Sequence, residues 1–333
     1  MSAPVYGKVM GQDEVALRPT TDAPFGQALA ALGAERPDIV GLTADLGKYT
    51  DIHPFRDRFP DRFFNVGMAE QNLIAVAAGL AKTGLTPFAT TYGVFASRRA
   101  YDFIAIACAH SRANVKILAG LPGLTTGYGG THQAIEDLAL MRMIPGLVVI
   151  DPCDATEIMQ ATRAAAEHDG PVYMRLLRGQ VPQVLDPDGY RFQIGKAAAL
   201  RHGTDVAIVS TGLMTGHALD AAEILQTSGL EAGVLHVPTV KPFDAEAVAD
   251  FCEKATAVVT AENHVTMGGL ASQVAEALHD AGLLRPLRRV GLRDAFVELA
   301  AVPTLFKRAG MTAEGIASAA CKVLEQSDRR AGS

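Results

Sequence analysis

The sequence predicts an α/β protein with two successive domains, each a mostly parallel sheet covered by helices. Short apolar runs rich in Val and Ile alternate with longer runs of helical period, which is the pattern of a parallel sheet with helices on both faces. Of the 333 residues, 49% are hydrophobic, which is enough for two cores. The segment 178–195 interrupts the alternation, because it has no helical period and contains a turn-like Pro-Asp-Gly. We therefore predict one domain over 1–186, including an N-terminal extension, and a smaller one over 187–333.

Each predicted strand is a short apolar run bounded by Gly, Pro or Asp, as expected of strands buried on both faces. In the first domain the strands are predicted at 38–45, 86–92, 114–120, 146–152 and 171–177, and the helices at 25–35, 70–84, 94–110, 133–143 and 155–170. In the second domain the strands are predicted at 205–212, 231–237, 257–263 and 287–293, and the helices at 214–229, 245–255, 268–282 and 313–326.

Composition excludes several classes of partner. The net charge of -6 comes from interspersed acids and bases without a basic stripe, so no nucleic acid is expected to bind. No apolar run reaches membrane-spanning length, and residues 1–20 lack the apolar core of a signal peptide. The four cysteines are far apart and form no zinc-type spacing, which predicts reduced thiols in a cytoplasmic protein. They are Cys108, Cys153, Cys252 and Cys321.

Ligands of open α/β sheets bind beyond the carboxyl ends of the strands. Polar residues follow the predicted strands at 43–50, 90–99, 120–133 and 175–179. Glu70 is the first residue of a predicted helix that comes after the first of these segments. We expect these segments to converge at one edge of the sheet. By itself, Glu70 could equally be a helix-start acid that complements the helix dipole.

The loop 120–133 is rich in Gly and Thr and ends at His132. Glycines allow a backbone to approach a ligand closely. A histidine at the start of the helix 133–143 could donate a proton or bind an oxyanion, although Thr131 or His132 could also be only the helix N-cap region. The loop is not a P-loop, and no strand leads into a dinucleotide-binding glycine motif.

Several motifs, in this order, resemble the transketolase family of thiamine-diphosphate enzymes. They are "FFNVGMAEQNLIAVAAGLA" (63–81), "PFATTYGVFASRRAYDFI" (87–104), "GGTHQAIEDLALMRMIPGLVVIDPCD" (129–154) and "TAENHVTMGGLASQVAEAL" (260–278). The resemblance implies a pyrimidine-binding thiamine-diphosphate domain followed by a smaller α/β transketolase C-terminal domain. In the second domain, His264 and its neighbouring glycines could form a ligand loop or simple packing.

The resemblance implies a catalytic role for Glu70. In this family the glutamate of "AEQ" binds N1′ of the cofactor's aminopyrimidine and favours the imino tautomer, which removes the proton from C2 of the thiazolium. The apolar neighbours Met68, Leu73 and Ile74 are expected to raise the pKa of this carboxyl group, so that it can hold a proton for N1′.

Four more positions match the family's cofactor pocket. Phe95 is expected to stack on the pyrimidine, and Tyr92 to line the same pocket. Asp45 and Leu46 match the segment beneath the cofactor. Without the resemblance, Phe95 and Tyr92 could be ordinary core rings and Asp45 a turn residue.

The substrate side matches the family only in part. His132 corresponds to a substrate-binding histidine, and Arg178 to an arginine that binds phosphate or carboxylate; Arg175 could be its structural neighbour, or the reverse. Arg98 resembles an acceptor-binding arginine of deoxyxylulose-phosphate synthase, but could lie on a solvated helix face.

Three positions depart from the usual substrate contacts. Tyr49 stands where transketolases commonly have Ser or Thr. Gly120 stands where they have His, and Tyr128 where they have Asp. Tyr128 is therefore expected to contact a sugar that is modified or differently substituted.

The family's diphosphate-magnesium motif, GDG followed by an Asn, does not occur in the sequence. The resemblance therefore implies the small, C-terminal subunit of a split transketolase. Thiamine diphosphate would bind between this chain and a large N-terminal subunit that holds Mg²⁺, and self-association across the pyrimidine domains would give a heterotetramer. No metal ligand is predicted in this chain.

The expected activity is transfer of a two-carbon ketol unit between a ketose and an aldose. The alternatives are a deoxyxylulose-phosphate-synthase-like or 2-oxoacid-decarboxylating subunit, and a non-catalytic partner of a transketolase.

Overall fold

The computed structural model describes residues 18–331, with side chains through residue 326. Residues 1–17 lie outside this range, and with them the predicted N-terminal extension and most of the segment 1–20 in which no signal peptide is predicted. In the first half the strands are β1 (Thr20–Asp22), β2 (Ile39–Thr43), β3 (Phe63–Asn65), β4 (Thr86–Tyr92), β5 (Lys116–Gly120), β6 (Val148–Ile150), β7 (Val172–Leu176) and β8 (Gln180–Pro182). The helices are α1 (Pro24–Glu35), α2 (His53–Arg58), α3 (Glu70–Lys82), α4 (Gly93–Arg99), α5 (Tyr101–Phe103), α6 (Asp137–Arg142) and α7 (Ala155–Glu167), with a 3₁₀ turn at Pro60–Arg62 and a π-helix at Ile104–His110.

The second half repeats the alternation. Its strands are β9 (Ala198–Arg201), β10 (Val206–Ser210), β11 (Ala232–His236), β12 (Thr239–Lys241), β13 (Ala257–Val265) and β14 (Leu287–Leu292). Its helices are α8 (Met214–Thr227), α9 (Ala245–Glu253), α10 (Leu270–Asp280), α11 (Val302–Ala309) and α12 (Ala313–Ala331).

The two main sheets confirm the predicted α/β architecture. Over residues 18–331, the larger sheet has seven strands in the order β12-β6-β7-β5-β4-β2-β3, and the smaller has five in the order β14-β13-β10-β11-β9. Pairing is parallel except at the edge strands β12 and β9. Every residue of β2, β4, β5 and β7 is buried, because helices cover both faces of the sheet.

Three details differ from the prediction. The helix expected over 94–110 is interrupted at Ala100 and continues as α5 and a π-helix. The segment expected to be a linker contains β8, which pairs with β1. Strand β12 comes from the second half of the chain but joins the first sheet beside β6. Strands of three residues are too short to show a period of two, so sequence patterns do not reveal them.

A buried polar network joins the two halves. Arg175, at the end of β7, is 1% exposed, donates to both carboxylate oxygens of Asp137, and lies 3.2 Å from Asp151. It also donates to the backbone oxygen of Asn263 in β13 (3.3 Å). A second contact joins His236 Nε2 and Glu157 Oε2 at 2.8 Å, both fully buried. These buried contacts hold the second half of the chain against the first.

Within the described part of the chain, no helix combines the length and the apolar character needed to cross a bilayer. All four cysteines are free thiols, and Cys108, Cys153 and Cys252 are buried.

Candidate active site

Glu70 is the first residue of α3, and its side chain is 3% exposed. Leu73 and Ile74 are fully buried on the following turn, as expected. Met68 does not wall the carboxylate, because it is 79% exposed. Instead, Arg99 Nη1 donates to Glu70 Oε1 at 3.1 Å. The carboxylate therefore has a cationic neighbour that the apolar sequence around it does not indicate.

Phe95 lies on α4 and is partly buried. The Arg99 guanidinium carbon is 4.1 Å from the centroid of its ring. Tyr92, the last residue of β4, has its ring centroid 5.7 Å from that of Phe95. A single arginine thus links the aromatic face of Phe95 to the carboxylate of Glu70.

His132 lies among aromatic rings. Its centroid is 5.5 Å from Phe95, 6.2 Å from Tyr92 and 5.5 Å from Tyr128, each in an edge-on arrangement. Its Nδ1 is 2.9 Å from Thr131 Oγ1. The prediction that His132 starts a helix was wrong, because α6 begins at Asp137. The residues before it form a turn at 131–132, an isolated β-bridge between Ala134 and Pro122, and a bend at 135–136.

The displaced start of α6 has a physical reason. The Asp137 side chain is buried and bound by Arg175 and by the Tyr173 hydroxyl (2.7 Å). Ahead of it, the backbone oxygen of Ala134 accepts from the Gly123 N–H at 2.8 Å, which holds this segment against the loop instead of within a helix.

Leu46 packs against the cluster formed by Tyr92, Val94, Leu121 and Ala134, and Phe95 packs there too. Asp45 is exposed and has a left-handed φ of 60°. Its backbone N–H donates to Asn65 Oδ1 (3.0 Å), and Asn65 Nδ2 donates back to its carboxylate (2.9 Å). Leu46 therefore reaches the ring cluster, whereas Asp45 is engaged in a turn.

Arg178 is partly buried at the end of the β7 segment, and its guanidinium carbon is 5.9 Å from the Tyr49 ring centroid. Its Nε is buried without a hydrogen-bond partner in the described structure. Burial raises the pKa of the Tyr92 hydroxyl, and the nearby Arg178 charge opposes that shift. Burial likewise raises the pKa of Asp51, opposed by the N–H of Gly179 and by Arg178. Arg178 therefore offers an unsatisfied donor close to the Tyr49 ring.

Burial favours Arg178 over Arg175 as the anion-binding arginine, because Arg175 is saturated by carboxylates inside the protein. Arg98 is also engaged. Its Nε donates to Glu136 Oε1, its Nη1 donates to the Gly130 oxygen at 2.8 Å, and the ring of Phe296 is 5.8 Å away.

The glycines of the loop 120–133 approach the second half of the chain. A Cβ at Gly123 would lie 2.4 Å from Asn263, and one at Gly127 would lie 2.3 Å from the Ala300 oxygen. Gly120 is different, since a Cβ there would lie 3.5 Å from Tyr92 Cδ1 and 3.3 Å from Thr50 Cγ2. Most of the small residues therefore serve domain packing. The rings of Tyr49 and Tyr128 are 52% and 45% exposed.

His264 lies at the junction of the two halves. Its Nε2 accepts from the Ala139 N–H at 3.3 Å, and its Nδ1 lies 2.6 Å from the Val265 oxygen. The ring is fully buried between the two halves, which favours packing over a ligand loop.

Among the described residues, Cys153, Glu157 and His236 are close enough to share a metal ion. Each Glu157 oxygen is already used, because Oε1 accepts from the Tyr190 hydroxyl and Oε2 accepts from the Cys153 N–H at 2.8 Å. Burial also raises the pKa of the Cys153 thiol well above its usual value. A hard, oxygen-seeking ion such as Mg²⁺ does not fit this group.

Sequence reasoning missed Arg99. The available signal was its spacing, since residues four apart on a helix share a face and Arg99 follows Phe95 by four.

Comparison with known proteins identifies the family. The model of the transketolase pyrimidine-binding domain matches residues 18–183, and that of the transketolase C-terminal domain matches residues 195–316. The chain therefore belongs to the transketolase family, as its motifs indicated, and carries the C-terminal section of that family.

Close relatives cover nearly the whole chain. A transketolase family protein of Sinorhizobium fredii is 54% identical over 92% of this chain and 89% of its own length. A 6-deoxy-6-sulfo-D-fructose transketolase subunit of a Clostridium species is 44% identical over 89% of this chain and 92% of its own length. A solved split-gene transketolase, in an inactive β4 tetramer, is 44% identical with a TM-score of 0.85, covering 92% of this chain and 99% of that one.

Proposed function

We propose that this chain is the C-terminal subunit of a split transketolase, and that it transfers a two-carbon ketol unit between an anionic ketose and aldose. One observation carries the proposal. The buried carboxylate of Glu70 and the ring face of Phe95 are close enough for one planar group to contact both, as Arg99 does. An aminopyrimidine ring likewise needs a hydrogen-bonding partner at its edge and an aromatic ring against its face.

These residues fit thiamine diphosphate. Glu70 would hydrogen-bond with the pyrimidine edge, Phe95 and Tyr92 would pack on the ring, and Leu46 would lie at the base of the pocket. When bound, the cofactor supplies the electron sink that allows a carbon–carbon bond to be broken and formed.

The substrate side follows from His132 and Arg178. The aromatic rings that surround His132 restrict the orientation of its imidazole. The imidazole could therefore donate a proton to a sugar oxygen at a fixed position. Arg178 would bind the anionic group, because its buried Nε lacks a partner in the described structure. The sulfosugar named for the Clostridium relative makes sulfonate, beside phosphate, a reasonable choice for that group.

The split organisation rests on the chain itself and on its relatives. The sequence contains no GDG motif, and the match to the split-gene transketolase covers 92% of this chain and 99% of that one. We propose a large N-terminal subunit that holds Mg²⁺ and the diphosphate, assembly into a heterotetramer, and a cytoplasmic location. The synthase-like alternative gains no support from Arg98, which is bound to Glu136 and Gly130.

The test is substrate profiling of Arg178→Lys in the complex reconstituted with the large subunit. Lysine keeps the positive charge but lacks the paired N–H donors of the guanidinium. The KM for phosphorylated or sulfonated aldoses should therefore rise roughly tenfold to a hundredfold. KM for an uncharged aldose should change little. Arg163→Lys, in the half-exposed pair with Glu35, is the matched control. An equal effect of Arg178→Lys on charged and uncharged aldoses would contradict the assignment.

A further inference from the structure

The Arg99 guanidinium makes both of the contacts that the proposed cofactor pocket offers. It donates to Glu70 Oε1 at 3.1 Å and lies 4.1 Å from the Phe95 ring centroid. A guanidinium is a flat, delocalised group with N–H donors at its rim and a face that stacks on aromatic rings. An aminopyrimidine is also flat, with an amino N–H donor at its rim and a face that stacks on aromatic rings. The two groups therefore compete for one place.

The three side chains differ in how easily they can move. The Glu70 side chain is 3% exposed, and Phe95 is partly buried among neighbouring rings. The Arg99 side chain is 51% exposed, on a long and flexible stem. Arg99 can therefore leave the pocket for solvent while the carboxylate and the ring stay where they are.

The neighbouring Arg98 provides a contrast. It is held by the Glu136 carboxylate and the Gly130 oxygen, so its position depends on the loop that carries His132. Arg99 instead directs its guanidinium to two groups of the proposed pocket, the Glu70 carboxylate and the Phe95 ring. Of the two adjacent arginines, Arg98 therefore binds the loop that carries His132, and Arg99 lies over the Glu70 carboxylate and the Phe95 ring.

We propose that Arg99 occupies the pyrimidine place in the free subunit and is displaced when the pyrimidine binds. The proposal rests on the assignment of Glu70 and Phe95 to the cofactor pocket made above. In the free chain, Arg99 keeps the buried Glu70 carboxylate paired and shields the Phe95 face. Its release becomes part of cofactor binding, and the free energy needed to detach the guanidinium from Glu70 and Phe95 lowers the observed affinity.

The test is equilibrium binding of a neutral probe, 4-amino-5-hydroxymethyl-2-methylpyrimidine, to the full isolated chain by titration calorimetry. Arg99→Met removes both the charge and the planar group, and should bind the probe roughly five- to tenfold more tightly than the unaltered chain. Arg99→Lys keeps the charge but has no planar face, and should also bind more tightly, by a smaller factor. Arg163→Met removes an arginine from a surface pair and should change nothing.

Equal or weaker binding by Arg99→Met overturns the proposal, as does the absence of probe binding by every variant. Glu70→Ala in the Arg99→Met background should abolish the gain, because the pyrimidine edge then has no hydrogen-bonding partner at this position. Failure of the proposed function gives a different result, namely tighter probe binding by Arg99→Met without ketol transfer by the reconstituted complex. A crystal structure with the probe provides a second readout, in which Arg99 should no longer contact Glu70.

Discussion

Arg175 and Arg99 both bind carboxylates in the first half of the chain, but their surroundings are opposite. Arg175 is 1% exposed and is surrounded by Asp137, Asp151 and two backbone oxygens of the same chain. Arg99 is half exposed and contacts only the Glu70 carboxylate and the Phe95 ring among the interactions described above. In the first network, the N–H groups of Arg175 all donate to oxygen atoms of the same chain. In the second, one half-exposed side chain makes both contacts, so that a molecule from outside could replace it.

This difference separates residues that serve folding from residues that serve binding. A charge buried with its partners contributes to structure, and breaking such a pair strongly destabilises a protein. A half-exposed pair contributes little to stability and can be exchanged for a ligand. Variants on the two sides of the comparison should therefore fail in different ways.

The largest effect is expected at Glu70. Glu70→Ala should lower ketol transfer by the reconstituted complex about 10²- to 10⁴-fold, because no other group takes over the acceptor role beside the pyrimidine. The thermal unfolding midpoint should stay close to that of the unaltered chain, since the lost ion pair is half exposed on its arginine side. Near-normal turnover in this variant would remove the catalytic role from Glu70.

Arg175→Met should act on stability. Asp137 and Asp151 would be left buried without their cation, which costs about 3–5 kcal/mol in the free energy of unfolding. Urea denaturation measures this directly. Arg163→Met, which breaks the surface pair with Glu35, should cost less than about 1 kcal/mol. Similar small losses in both variants would mean that the interface between the halves is not held by Arg175.

A smaller effect is expected from His264 on the pH dependence of stability. Burial lowers the pKa of His264 to about 4, and the Arg175 charge acts in the same direction. Between pH 4 and the ordinary value of 6.5, the folded chain then binds fewer protons than the unfolded chain. The free energy of unfolding should therefore fall as the pH falls through this window.

His264→Gln isolates that contribution, because glutamine can still accept from the Ala139 N–H but does not titrate. Between pH 7 and pH 4.5, the unaltered chain should lose roughly 1–3 kcal/mol more of its unfolding free energy than the variant does. Urea denaturation at both pH values checks this. Parallel losses in the two proteins would show that His264 is not the titrating group.

Much of the fold could be predicted because its strands and helices are long enough to show a period. The strands 86–92 and 171–177 were expected almost as they occur, as β4 and β7. Strand β12 could not be predicted, since three residues carry no pattern and their partner β6 lies about ninety positions earlier in the chain. The start of α6 was misplaced because a tertiary contact, the binding of Asp137 by Arg175, decides it.

For the site, the sequence brought Glu70, Phe95, Tyr92 and His132 into one expected pocket, and the structure places their side chains in one linked group. It did not identify Arg99, because a charged residue on a short helix is usually a solvated one. Nor could the sequence reveal what the glycines of 120–133 contact. A glycine can indicate that there is little space for a side chain, but not which residues fill that space. Asn263 and Ala300 limit that space, from a distant part of the chain.

We propose that this chain supplies only the pyrimidine half of a shared cofactor site. Titration calorimetry of thiamine diphosphate with Mg²⁺, first with the isolated chain and then with its complex with a GDG-containing large subunit, tests this most directly. We predict weak binding by the isolated chain and binding at least a hundredfold tighter by the complex, a difference of about 2.8 kcal/mol. Tight binding by the isolated chain, or no gain on adding the large subunit, would contradict the claim.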